Sequence, residues 1–220
     1  MKNRSEDILV MSVVLVGHFN PTIFTPNWLA LKKLIRESDA ENADIKVIHP
    51  EISHFSLSFV DIQVTKDKFQ LHCNNQAEFD LAKDLVISIF RFLKETPIAG
   101  IGINRHLHHN FKSQKNYTQF GDWLVPHKIW SDVLKNPGLL DLRMVEALDT
   151  DNGTKSHITV SPSEMIKNFG VRIQHNYHIE LSVINNPSVS QTIMDRWDIS
   201  NARATEVFNR LLEGYYNLNF

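Results

Sequence analysis

A chain of 220 residues, 42% hydrophobic and with 23 Lys and Arg against 25 Asp and Glu, is long for one ordinary domain, well supplied for a core and close to neutral. These figures exclude global disorder, and they exclude a dedicated nucleic-acid binder whose affinity comes mainly from cations neutralising phosphates. The one cysteine, Cys73, excludes an intrachain disulfide and a multi-cysteine zinc centre, as expected of a cytoplasmic protein.

Lys2 and Arg4 ahead of the apolar run 8–19 imitate a secretory signal, but Glu6 and Asp7 stand at its entrance and no small-x-small cleavage site follows. The run is too short to cross a bilayer as a helix. Its Val and Ile content, leaving through Gly17 and Asn20-Pro21, predicts a central strand with apolar side chains on both faces. Ile8, Val10, Val14 and Val16 fall on one face and Leu9, Met11, Val13 and Leu15 on the other. Thr25-Pro26 starts a helix expected to reach residue 37 and to bury Leu29, Leu31, Leu34 and Ile35. Strands follow at 46–49 and from 54, where Phe55, Leu57 and Phe59 alternate before the pattern slips to Val60, Ile62 and Val64. That slip predicts a bulge or break near Phe59-Val60. Residues 65–68 form a turn into Phe69, Leu71 and Cys73.

Asn75 opens a helix whose Phe79, Ala82, Val86, Ile89, Phe90 and Leu93 make one apolar stripe. A strand at 98–109 comes next, then a polar loop at 110–119 and a helix at 122–134. Strands at 139–148, 157–161 and 171–183 follow, the first two joined by a turn at Asp151-Asn152-Gly153. A final helix carries Val207, Phe208, Leu211, Leu212 and Tyr215. Trp28, Trp123, Trp130 and Trp197 read as packing residues. The expected fold is α+β and one domain over 1–220. Two pseudo-repeated β-α-β-β-α halves, 7–95 and 97–217, share an antiparallel sheet with helices on one face, shaped like the saddle of the TATA-binding protein.

The hairpin strand Phe69-Gln70-Leu71, the amphipathic helix after it and the strand ending Gly102-Ile103-Asn104-Arg105 resemble a sporadically distributed bacterial protein family of uncharacterised function. The likeness is clearest over residues 55–110. It implies no activity. The family's patchy occurrence implies the company of mobile-element or defence genes.

The stretch 104–110 holds the candidate site. Alternation puts Gly100, Gly102, Asn104, His106 and His108 on one face and Ile101, Ile103, Arg105 and Leu107 on the other. His106-x-His108 is a two-ligand arrangement for a transition metal, and the strand at 171–183 offers Arg172, Gln174, Asn176, His178 and Glu180, of which His178 is the natural third ligand. Against this, paired histidines at a strand end more often serve as surface polarity or an interface. His175 shares an apolar face and reads as a core histidine. Arg105, Lys112 and Lys115, interleaved with Phe111 and Tyr117, suit a phosphate backbone and stacked bases. No glycine-rich phosphate loop or nucleophile elbow is present, so no cofactor is expected; Asp44-Ile45-Lys46 lacks the carboxylates of a nuclease frame. The expectation is a non-catalytic binding protein, oligomeric or an accessory subunit, in which a partner chain covers the second apolar face of the first strand; Asn104, Arg105, His106, His108, Lys112 and Lys115 are the candidate binding residues. The alternatives are nucleic-acid contact through 104–117 and a metal-dependent hydrolase centred on His106 and His108.

Overall fold

The computed structural model describes residues 7–149, 153–181 and 188–219. Among the described residues nine strands form one sheet: β1 (Ile8–Gly17), β2 (Asp44–His49), β3 (Ile52–Ser56), β4 (Asp61–Thr65), β5 (Lys68–Cys73), β6 (Ile98–Asn110), β7 (Leu142–Asp149), β8 (Thr154–Pro162) and β9 (Gly170–Glu180). Their order is β2-β3-β4-β5-β1-β6-β9-β8-β7, and every pairing is antiparallel. β1, rich in Val, Ile and Leu, pairs at the centre with β6, the longest strand, where burial offsets the cost of ordering them.

The helices are α1 (Pro26–Leu31), α2 (Glu37–Glu41), α3 (Phe79–Phe92), α4 (Gln114–Leu124) and α5 (Val189–Asn219). On one side of the sheet Met11, Val13, Leu15, Phe69, Leu71, Ile101, Ile103, Tyr177 and Ile179 are buried against Ala82, Val86, Ile89 and Phe90 of α3 and Ile193 and Trp197 of α5. A second cluster joins Leu107, Ile173 and Val160 to Phe120 of α4 and to Val207, Phe208, Leu212 and Tyr215 of α5. Each fully buried large side chain contributes about 1.5–3 kcal/mol. Between the clusters, at adjacent positions of β6 and β9, lie two buried polar residues, Arg105 and His175.

Several local expectations change. The first helix stops at Leu31, which is exposed, because Lys33 takes a left-handed φ of 58° and turns the chain into the short α2. The slip near Phe59-Val60 is a hairpin, closed by Leu57 N–H donating to the Val60 carbonyl at 2.8 Å, since a tight turn reverses the alternation as a bulge would. The helix expected at 122–134 instead spans 114–124, capped by Ser113, whose hydroxyl accepts from Asn116 N–H, so 110–119 is mostly helix rather than loop. Pro126 follows its end, and Trp130 is exposed and joins neither apolar cluster. The halves are longer than β-α-β-β-α, with five strands in the first and four in the second. The expected turn at 151–153 and the strand end beyond 181 fall largely outside the described residues. No helix among the described residues is long and apolar enough to cross a membrane.

Candidate functional site

The sheet face away from α3 and α5 is polar, and register lines its side chains up in rows. One row runs Ser56, Asp61, His72, Ser12, Asn104, Asn176 and His157 across β3, β4, β5, β1, β6, β9 and β8. Beside it Val10, His106, Gln174 and Thr159 form a second row, and Val14, Gly102, His178 and Lys155 a third. The 98–110 and 171–180 polar sets are therefore neighbours: His108 opposes Arg172, His106 opposes Gln174 and Gly102 opposes His178.

Gly100 and Gly102 carry no side chains, so the rows are interrupted here by a narrow glycine trough that Asn104, Asn176 and His178 crowd from the sides. A Cβ on Gly102 would stand 3.2 Å from Asn176 Oδ1, and one on Gly100 would stand 3.5 Å from His178 Cε1. Asn104 Nδ2 donates to the Ser12 and Gly102 carbonyls at 3.4 Å and is fixed beside the trough. The His157 and His178 rings stack 5.7 Å apart. His108 Nδ1 lies 2.8 Å from Ser163 Oγ, in the loop after β8 that also brings Glu164 to Arg172 at 3.0 Å.

Burial makes protonation of four histidines on this face harder. Burial, with help from Arg172 and His108, pushes His106 down to about 4. Burial also lowers His72, His108 and His178. Burial works against the Glu164 charge, but a backbone hydrogen bond and Arg172 hold its carboxyl below the usual range. Among the described residues no three His, Cys, Asp or Glu side chains gather as a metal site, so His106, His108 and His178 do not complete the ligand set that the hydrolase reading requires. Lys46 and Asp44 pair on an exposed edge strand.

Arg105 does not join this face, and its expected role as a contact residue is corrected. It lies on the helix side, 6% exposed, with its guanidinium 4.3 Å from the Trp197 ring centroid and 5.1 Å from that of Phe79. Nη1 donates to its neighbour's carbonyl, while Nη2 is buried without a partner. Burial pushes the group down to about 10, against a partial pull from Asp80. Cation–π contacts offset only part of that desolvation. Arg105→Met should therefore match or exceed the native stability, by about 0–3 kcal/mol. A urea titration showing a loss above about 2 kcal/mol would mean that the guanidinium itself stabilises the fold. Lys112, with a φ of 62°, and Lys115 are exposed near the start of α4, beyond the end of β6.

Sequence reasoning gave His109 no role, yet its Nδ1 lies 2.6 Å from Asp7 Oδ1 and its Nε2 2.9 Å from Tyr216 Oη, tying β6 to the entrance of β1 and the end of α5. No local pattern signals partners so far apart in the chain. His175 is the expected core histidine, 2.8 Å from Ser156 Oγ, and Cys73 is a core thiol donating to the Asn75 carbonyl at 3.4 Å. Compared with known proteins, the chain matches no protein-family model and no curated protein sequence.

Proposed function

We propose that the protein is a non-catalytic binding protein, an oligomeric or accessory subunit, whose uncovered sheet face receives a protein partner. The observation that carries this is a concentration of unmet hydrogen-bonding groups. Asn176 Oδ1, beside Gly102, and His106 Nε2, Arg172 Nε and Ser161 Oγ, farther along β6, β9 and β8 on the same face, are buried without partners. Each such group costs about 1–3 kcal/mol, a penalty that is relieved where its side chain turns outward to meet a docked molecule. Charge favours protein over nucleic acid, because Arg172 is paired with Glu164 and Lys155 with Glu180, and burial disfavours a positive charge on His72, His106, His108 and His178. The Val10, Val14 and Val16 side chains supply an apolar stripe beside the polar rows, as in the centre of a protein interface.

A topological repeat supports a continuous docking face. Outward from the central pair the strands run β1-β5-β4-β3 on one side and β6-β9-β8-β7 on the other, with β2 as an extra edge. This is the order a saddle with a pseudo-twofold axis would have. Resemblance of the 55–110 region to the sporadic bacterial family adds the reading of an accessory component in a mobile-element or defence setting.

The test is histidine footprinting of tagged protein isolated from its host with and without its bound partner. Protection of His72, His106 and His178 is expected. Gly102→Leu fills the trough and should release the partner while the melting temperature stays within a few degrees. Equal histidine reactivity in both states would end this reading, and salt-sensitive oligonucleotide binding weakened by Lys112→Ala and Lys115→Ala would replace it.

A further inference from the structure

Away from the polar face, α5 covers Val160 on the helix side of β8 but leaves Met144 of β7 exposed. A groove of about 320 Å³ runs there beside α5, floored by Leu142, Met144, Ile158 and Val160 and walled by Val207 and Leu211. In the first half of the chain the β1-to-β2 connection buries Phe24 and Leu29 in the core, and Ser53 Oγ of β3 donates to the Phe24 carbonyl at 2.5 Å. The matching β6-to-β7 connection buries Phe111 and Phe120 but leaves an apolar stripe in solvent. Ile129 and Val133 are each 73% exposed, Leu134 51% and Trp130 45%. Those four residues share one side of a helical turn held by Ser131 N–H to His127 O at 3.0 Å and Leu134 N–H to Trp130 O at 2.8 Å.

A stripe without a surface and a surface without a cover occur in the same chain, and their charges match. Lys128, Asp132 and Lys135 flank the stripe, while Arg203, Glu206 and Arg210 border the groove, with Arg203 already paired to Glu206 at 2.8 Å. Asp132 is four residues from Lys128, as Arg210 is from Glu206, so with the turn along α5 Asp132 meets Arg210 while Lys128 lies near the Arg203–Glu206 pair. We propose that two copies of this chain form a twofold dimer in which residues 127–134 of each copy fill the groove beside α5 of the other. Exchange of one segment each way makes the contact self-complementary, closes the assembly at two and buries both stripes at once. The volume takes an indole and an aliphatic side chain, which makes Trp130 the anchor.

Sedimentation velocity of the full chain should show a dimer that Trp130→Asp or Val133→Asp weakens roughly tenfold or more. Histidine footprints on the polar face should be unchanged in these variants, which separates failure of the dimer from failure of the proposed function. Oxidising a mixture of Val133→Cys and Leu211→Cys chains should give a disulfide-linked heterodimer; native Cys73 is buried and stays out of the reaction. A monomer at every concentration would overturn the proposal. So would a Val133→Cys/Leu211→Cys double variant that links only within one chain, since the groove would then be filled by its own segment.

Discussion

The urea midpoint of this protein should fall steeply as pH is lowered from 7 to 4. His106 and His175 are each held to about 4, against an ordinary 6.5, chiefly by burial; Arg172 and Arg203 add to this for His106 and His175 respectively. As pH falls through 6.5 the unfolded chain takes up protons that the folded chain refuses, so unfolding is favoured until pH passes about 4, and above 6.5 the two groups contribute no slope. An interval of this size is worth about 3 kcal/mol per group, and the two together about 6 kcal/mol, comparable with the whole stability of many domains. His72, His108 and His178, also lowered by burial, act in the same direction. Unfolding titrations at pH 7.5, 6 and 5 measure the slope, and His106→Gln with His175→Gln should remove most of it. Midpoints that stay level from pH 7 to 5 would show that both imidazoles accept protons inside the folded protein.

What could be read from sequence divides along physical lines. Alternation on the strands at 98–110 and 170–180 sorted Asn104, His106 and His108 from Arg105 correctly, because a strand's period is fixed by backbone geometry. Register is set by distant partners, so the meeting of Asn104 with Asn176 and of Gly102 with His178 was beyond it. Helix α3 was legible from its continuous apolar stripe, whereas α4 hides its start in Gln114-Lys115-Asn116 and buries only Phe120 fully. The Trp130–Leu134 pattern reads as a core helix because an apolar stripe signals the need for a covering surface without saying which molecule supplies it. Arg105 shows the converse limit. Its charge suggests solvent, and only the folded chain brings Trp197 and Phe79 to stack on its guanidinium.

Phe69→Ala is expected to cost about 3–5 kcal/mol and to lower the melting temperature by roughly 8–16 °C. Phe69 is fully buried on β5, directly opposite Leu15 of β1. Its ring meets Phe90 of α3 edge-on at 5.1 Å and lies 5.7 Å from Phe24 and 6.5 Å from Phe19. Truncation removes contacts with three aromatic rings at once, and the surrounding strands cannot collapse into the space without losing register. Its neighbours on β5, Gln70 and His72, point to the uncovered face, so the same strand carries core and docking surface on alternate residues. The two kinds of damage are therefore separable. Phe69→Ala should reduce the folded fraction while leaving the affinity of folded molecules for a partner unchanged, and Gly102→Leu should do the reverse. A Phe69→Ala protein that melts within about 3 °C of the native one would show that the aromatic cluster is loosely packed. The helix side would then be no rigid backing for the polar rows across the sheet.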